Sequence, residues 1–594
     1  TNTLDSVVIN YYGVPPAVAG QAEGYQLKTV ATFPMIYSLS ESYEDRDWWP
    51  CKADMQDRID SLDIIISTPS AHTPTTNGVL VSTVTAGANK ISTFKHRYPI
   101  PTYLVAVGVT RYNKTTRSVT INGKTMPVEY FISQGRTSTA AAITAMDKCL
   151  QELVVFSEKW GEYPFIKEKY GMYEFGWGGG MEHQTNSAMG WSTMSSPGVI
   201  AHELAHQWFG DKVTFSTWNH LWLAEGFARY GEAMAAEFVS GTGNPVSIRQ
   251  GFKTASQSTT LRGFGCYIPN ASITTSDVLW SSNYGSSVYE RGAMVVSMLR
   301  TLMGDDKFFQ ACRNYLNDPA LAYKSASTQD LQNHMEAMLD GYDLTPFFNA
   351  YVYGSGFPTT SVNWFNPSNG KVLNIAIASQ TRTSAGSTTY FPNVIPLRVQ
   401  GAGGEDTLIV LYDINGNTLA KAGRGITGVG TGNVLSYSLS FVPTTVTFDP
   451  YVTTLSSGSA TKLTVLDLRV TDFTVQPAAT GNIAQLTLDG NSLNSAVILE
   501  RSGDGVRYVE LGAMTEQAAT SAERRYVLHD AKPLAGINYY RAKYRNASGA
   551  FVYSKVVTMG SKAGSYFTLL TNPAAKVIRL GNPSTAGSKP TQFM

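Results

Sequence analysis

The hydrophobic period of this chain changes twice, and that restricts its folds more than any other feature. From the start to about Thr110, apolar runs are short and alternate with polar residues, as in Leu62-Asp-Ile-Ile-Ile66, Gly78-Val-Leu-Val-Ser82 and the strand-length run Tyr103 to Val109. From about Thr137 to Leu339 the pattern is helical. Ser138 or Thr139 can cap a helix through Ala140 to Trp160, with Gly161 and Pro164 stopping it. Past Phe357-Pro358 strands return, most clearly at Leu435-Ser-Tyr-Ser-Leu-Ser-Phe441, and Asn415-Gly416 suits a hairpin turn. All ten tryptophans lie between Trp48 and Trp364, which supports a change of domain type near residue 360. A second strand-rich block begins near Leu466. It holds Val497 to Gly505, Tyr539-Tyr540-Arg541 and Tyr553, at the spacing of an immunoglobulin-like or fibronectin-like sandwich.

The expected fold is therefore multidomain α+β: a β-rich N-terminal domain over 1–110, a mainly helical domain over 111–357, a β-sandwich over 358–460, a second sandwich over 461–562, and a tail over 563–594. The length of 594 residues agrees, since about 150 per domain gives about four. Lys+Arg at 46 against Asp+Glu at 45 leaves a net charge of +1, without the basic excess that binding a phosphate backbone requires, so nucleic acid is not an expected partner. No run approaches the roughly 18 apolar residues of a membrane-spanning helix. The chain opens on Thr1 with no cationic-then-apolar leader, so any targeting peptide is expected to have been removed or never included. Cys51, Cys149, Cys266 and Cys312 form no CxxC pair, which excludes a cysteine zinc site and leaves either two disulfides or four free thiols.

Eight histidines occur in the chain, and His183, His202, His206 and His220 fall within one stretch of about forty residues. His202-Glu-Leu-Ala-His206 has the H-E-x-x-H form. Pro197 suits a first helical position after Ser195 or Ser196, and Gly210 suits the residue past the end, so Pro197 to Phe209 reads as a helix. Residues four apart share a helix face, so both imidazoles can reach one ion while Glu203 sits beside them to hold a water. A zinc site that keeps one position for water needs a third protein ligand. Glu225, on a second helical segment from Asn219 to about Phe238 and separated from His206 by eighteen residues, supplies it.

His202-Glu-Leu-Ala-His-Gln-Trp-Phe-Gly210 followed by Trp222-Leu-Ala-Glu-Gly-Phe-Ala228 resembles the zinc aminopeptidases of the aminopeptidase N and leukotriene hydrolase family, the gluzincin metallopeptidases. That family carries a Gly-x-Met-Glu-Asn exopeptidase motif, matched here by Gly179-Gly-Met-Glu-His183, and a Tyr-x-Lys-Gly-Ala segment, matched by Tyr289-Glu-Arg-Gly-Ala293. Glu41, ahead of Arg46 and Pro50-Cys51, stands where the family places a second residue of its amine site. The resemblance runs from about residue 4 to about 450. It implies a thermolysin-like catalytic domain and one Zn²⁺ per chain on His202, His206 and Glu225. It also implies hydrolysis of N-terminal residues from peptides through a zinc-activated water, with Glu203 as general base and Tyr289 on the oxyanion. Glu182 and Glu41 would pair with the substrate ammonium group, with Gly179, Gly180 and Met181 alongside the peptide. Gly178-Gly-Gly180 does not match a phosphate loop; extended backbone that a peptide can pair with is the better account.

His183 replaces the family's usual Asn, Ala224 an Asn before the third ligand, and His220 a common Asp; none is a metal ligand or the base, so activity is expected. The opening β-domain is short for the family, and strands stand where the family's C-terminal helical domain would be. Two other readings are an epoxide hydrolase or bifunctional enzyme of the same family, and a catalytically silent surface binding protein. Leu499 to Gly505 with Tyr539-Tyr-Arg541 resembles sandwich modules that precede sorting tails in proteins secreted by gliding and related bacteria, and Phe567-Thr-Leu-Leu-Thr-Asn-Pro573 resembles the start of such a tail. The expected location is secreted or cell-surface.

Overall fold

The alternation near the start becomes two antiparallel sheets. Gly24–Val30, Phe33–Leu39, Val107–Thr110 and Thr73–Thr76 lie side by side in that order. Leu62–Pro69, Asn89–His96 and Val79–Ala86 form the second sheet. The structure, a computed structural model, describes residues 6–15, 24–366, 370–382, 391–413, 419–421, 427–429, 434–463, 469–489, 496–519, 523–545 and 551–560, with the short strands Thr568–Leu569, Ile578–Gly581 and Thr591–Phe593. The Asn415-Gly416 turn, and Phe567 and Leu570 to Pro573 of the tail motif, lie outside the described residues.

Tyr103 to Val109 is not one strand. Thr102–Leu104 is a turn of 3-10 helix, and the strand starts only at Val107. Buried Asn77 accounts for the difference, because its amide donates to the Leu104 carbonyl at 2.9 Å and its oxygen accepts the Ala106 N–H at 2.7 Å, satisfying backbone groups that a ladder would otherwise use. A hairpin, Tyr112–Ile121 with Lys124–Ser133, then opens a five-stranded mixed sheet. Tyr170–Phe175 runs parallel to Lys124–Ser133 on one side and to Ser187–Gly190 on the other, and Gly180–Met181 forms an antiparallel edge.

Ten α-helices occur among the described residues: α1 (Thr139–Met146), α2 (Lys148–Trp160), α3 (Pro197–Ala205), α4 (Trp222–Phe238), α5 (Pro245–Gln257), α6 (Ser276–Ser281), α7 (Asn283–Met303), α8 (Asp305–Asn317), α9 (Thr328–Ala337) and α10 (Thr345–Phe348). The helix expected over 140–160 is two. It breaks at Asp147, whose carboxylate is turned to Arg117 at 3.0 and 3.3 Å. Ser138 is left-handed (φ 61°) and makes no capping bond, whereas Gly161 ends α2 at φ 103°.

Two glycines of α4 decide how the helices meet. A Cβ on Gly231 would lie 2.7 Å from the Ala205 Cβ, so α4 rests directly on α3. A Cβ on Gly226 would lie 2.8 Å from the Gly292 Cα, so α4 and α7 touch backbone to backbone. The hydrogen atoms of these glycines thus bring three helices together in one core, which includes Trp160, Trp208, Trp222 and Phe227.

The chain divides into two compact units, Thr1–Val362 with Ser379–Leu435 and Pro443–Ala460, and Asn363–Ala378 with Ser436–Val442 and Thr461–Met594. Everything above belongs to the first, as does a five-stranded sheet ordered Thr427–Val429, Leu419–Lys421, Asp406–Asp413, Asn393–Gly401, Pro443–Phe448. In the second, Arg469–Pro477, Asn482–Asp489, Glu523–Asp530 and Thr515–Ala519 form one sheet. Val509–Ala513, Ile498–Ser502, Ile537–Arg545 and Phe551–Tyr553 form another, with Val557–Gly560 also paired to Ile537–Arg545. Phe473 and Leu486 from the first of these sheets share a buried cluster with Leu499 and Tyr540 from the other, the arrangement of a sandwich. The multidomain α+β class stands: a β-rich opening, a helical middle, and further sheets. The four cysteines are unpaired, with Cys149, Cys266 and Cys312 buried. No described helix is long and apolar enough to cross a membrane.

Replacing Gly226 with Val drives a branched side chain into the α7 backbone and is expected to cost about 1–3 kcal/mol in denaturant unfolding. Gly251→Ala in α5, where a Cβ meets nothing within 4 Å, should instead raise stability by about 0.4–1 kcal/mol. Equal effects at the two sites would contradict the close α4–α7 crossing.

Candidate active site

Ser196 precedes α3 in an extended conformation with Pro197 at the first helical position. The regular helix stops at Ala205 rather than Phe209. His206 caps its C-terminal end, and the chain then turns back on itself, with Asp211 N bonded to His206 O at 3.0 Å, Lys212 N to Gln207 O at 3.2 Å, and Gly210 at φ 130°. His202 and His206 lie on one face, against the first turn of α4. Their Nε2 atoms are 3.1 Å apart, and Glu225 Oε2 lies 3.2 Å from His202 Nε2 and 3.3 Å from His206 Nε2.

These spacings test whether a metal fits. Four donors at ~2.0–2.1 Å around a tetrahedral zinc lie roughly 3.3–3.4 Å from one another, close to the three separations observed. Each imidazole is also held by its other nitrogen, with Nδ1 of His206 donating to the Phe209 carbonyl at 3.1 Å and Nδ1 of His202 to Glu232 at 3.1 Å. Both Nε2 lone pairs are therefore free for an ion. Two imidazoles and one carboxylate suit zinc by donor chemistry.

Glu203 is buried beside the triad, and its Oε2 has no hydrogen-bond partner. Burial pushes its carboxyl up to about 8, with the two neighbouring histidines working against that rise. Gly180 is a glycine because of this carboxylate: a Cβ there would sit 2.2 Å from Glu203 Oε1. Gly179 is likewise folded under the Trp177 ring, where a Cβ would be 2.3 Å from the ring, and its carbonyl accepts from Gly190 N at 2.8 Å and Thr193 Oγ1 at 2.9 Å.

Glu41, from the end of the first sheet, and Glu182, after the edge strand, are buried and each leaves Oε1 without a partner. With Glu225 they offer oxygens within 4.8 Å of one another. Burial raises both carboxyls, Glu41 further under the like charge of Glu182. Tyr289 of α7 stacks on His202 with ring centroids 5.9 Å apart, at 23°. The structure thus brings together His202, Glu203, His206, Glu225, Glu41, Gly179, Gly180, Met181, Glu182 and Tyr289 around one cavity of about 380 Å³. Leu39, Trp177, Val199 and Trp280 add apolar walls.

Sequence reasoning missed Glu232 and Arg229. Glu232 lies seven residues after Glu225, two turns along the same face of α4, and that spacing is the signal that could have found it. Arg229 donates to both Glu232 oxygens at 2.8 and 2.9 Å and to Glu290, next to Tyr289, at 3.0 Å, so one guanidinium ties the partner of His202 to α7. His183 points elsewhere. Its ring stacks on Tyr173, with Nδ1 3.3 Å from the Tyr173 hydroxyl, and burial holds it down at about 3. His220 Nδ1 accepts from Thr328 N at 3.1 Å at the start of α9.

Removing the carboxylate that orients His202, as in Glu232→Gln, should weaken zinc binding about 10- to 100-fold, read by competition with a chromogenic chelator. Unchanged affinity would contradict the role of Glu232.

Residues 183–351 match the model of the peptidase family M1 domain. The chain is 31% identical over 175 residues to aminopeptidase N of Canis lupus familiaris, covering 28% of this chain and 18% of that protein. It is 30% identical over 174 residues to aminopeptidase N of Homo sapiens, with the same shares. Against the membrane alanyl aminopeptidase of Heliothis virescens it is 30% identical over 224 residues, 38% of this chain and 20% of that one. A solved M1 zinc metallopeptidase from Deinococcus radiodurans aligns at TM-score 0.47 and 25% identity, over 55% of this chain and 71% of that one. The match spans about a fifth of the length of these curated relatives. Residues 183–351, the block that carries the His202, His206 and Glu225 triad, are thus similar to the peptidase family M1 domain and to the corresponding part of aminopeptidase N.

Proposed function

We propose that this chain is a zinc-dependent aminopeptidase that removes N-terminal residues from peptides. One observation carries the reading: two buried carboxylates, on Glu41 and Glu182, each with one oxygen lacking a partner, lie within 4.8 Å of the carboxylate of the donor triad and face the same cavity. Buried carboxylates without cations are costly, and a substrate ammonium group supplies the missing charge. A free amino terminus is then held a fixed distance from the metal, which limits cleavage to the first peptide bond.

His202, His206 and Glu225 would hold the ion. Zinc bound there lowers the pKa of water and polarises a carbonyl. The rest is the work of the chain's own side chains. Glu203, with an oxygen unpartnered and its affinity for protons raised by burial, takes a proton from the attacking water and delivers it to the leaving amine. The Tyr289 hydroxyl donates to the carbonyl oxygen as negative charge builds on it. Gly180–Met181, at the edge of its sheet, offers backbone for an extended peptide to pair with. The likeness to a membrane alanyl aminopeptidase and the low fraction of charged residues, 15%, support a secreted or cell-surface location. The boundaries near 110, 357, 460 and 562 are part of the same proposal. Neither an epoxide hydrolase nor a silent binding protein is favoured by the comparisons.

The test is hydrolysis of aminoacyl p-nitroanilides by zinc-replete protein. Free-amine substrates should be cut and their N-acetyl counterparts left intact, and Glu203→Gln should lower kcat by about 100-fold or more. Equal cleavage of acetylated substrates would sink the amine role of Glu41 and Glu182, and full activity of Glu203→Gln would sink the assignment of the base.

A further inference from the structure

Glu182 leaves one carboxylate oxygen without a hydrogen-bond partner, and where that oxygen lies depends on where its backbone is held. We infer that Gln207, the residue after the second histidine of the metal helix, is a positioning residue that locks the amine-recognising segment Glu182 to Thr185 to that helix. The inference rests on the aminopeptidase reading for what Glu182 recognises.

Gln207 is fully buried, and both ends of its carboxamide are spent on that segment. Nε2 donates to the Glu182 carbonyl at 3.1 Å, and Oε1 accepts the Thr185 N–H at 2.9 Å. Oε1 also lies 3.5 Å from the Tyr163 hydroxyl. The segment needs such a clamp because Thr185 sits at φ 67°, a left-handed conformation that a β-branched residue adopts only when its surroundings impose it. From the other side, Thr185 Oγ1 accepts from Gly78 N at 2.9 Å and the Gln184 carbonyl accepts from Asn77 Nδ2 at 2.7 Å. The N-terminal strands therefore hold the outer half of the turn. Gln207 holds the inner half to the residue beside His206, and so fixes Glu182 relative to the metal ligands. Misplacement by about 1 Å at such a site can cost about 100-fold, which is why one buried amide can govern recognition without touching substrate.

The experiment compares wild type with Gln207→Met, which keeps the shape and removes both bonds, and Gln207→Glu, which keeps the acceptor and loses the donor. Three quantities are read on zinc-loaded protein: zinc stoichiometry, hydrogen exchange at the Thr185 amide, and calorimetric affinity for L-leucinamide with Glu203→Gln added to every variant so that the amide is not turned over. KM and kcat are measured on leucine p-nitroanilide. The expected result is one zinc retained, leucinamide affinity lowered about 10- to 100-fold in Gln207→Met and by less in Gln207→Glu, with faster Thr185 exchange in the Met variant. KM should rise with kcat changed by less than about threefold. Unchanged leucinamide affinity, or loss of zinc with equal falls in kcat and kcat/KM, would overturn it. Leucinamide binding in the Glu203→Gln background together with no hydrolysis by wild type would overturn the aminopeptidase reading alone, since that binding and Thr185 exchange report on Gln207 without turnover.

Discussion

Three donor atoms from two helices, His202 Nε2, His206 Nε2 and Glu225 Oε2, meet at separations of 3.1 to 3.3 Å, and the rest of the first unit is arranged so that they can. Imidazoles and a carboxylate at such distances suit a cation held between them. Close packing enforces the approach. Gly231 lets α4 rest on Ala205 of α3, and Gly226 lets it touch Gly292 of α7, so the helices carrying the two histidines, Glu225 and Tyr289 are fixed by contacts where a methyl group has no room. The same exclusion operates inside the site, where Gly180 leaves space for the Glu203 carboxylate.

Around the donors, charge is graded. Glu225 is held at about 2 despite its burial, because the two imidazoles stabilise its charged form, while Glu203 is pushed up to about 8 by the same burial. A carboxylate that stays ionised suits a ligand, and one with a strong hold on a proton suits a base. Glu41 and Glu182, raised by burial and each with one oxygen lacking a partner, form a third kind, whose cation on the proposed reading is the substrate ammonium group. Arg229, paired with Glu232 and Glu290, keeps the partner of His202 ionised and linked to the helix of Tyr289.

The helices of the site were readable because their signals are local. Pro197, the four-residue spacing of the histidines and the shift to strand patterns past 357 follow from backbone preferences that need no partner. What depends on distant residues was not readable. The split of the helix at Asp147 depends on Arg117 from a neighbouring strand, and the failed strand at Tyr103 on Asn77. Glu232 and Gln207 read as ordinary helix polar residues until the structure shows that one orients His202 and the other holds the turn at Thr185. The glycines of α4 carry no local signal of their role as contact points, because only the facing helix reveals what a side chain there would strike.

The central claim, that one zinc on this triad empowers removal of N-terminal residues, is tested most directly by titrating metal back into stripped protein while following hydrolysis of a free-amine dipeptide. Activity should be absent without metal and rise linearly to a plateau at one zinc per chain. Hydrolysis that persists after complete stripping, or a plateau reached with no zinc bound by His202, His206 and Glu225, would contradict it.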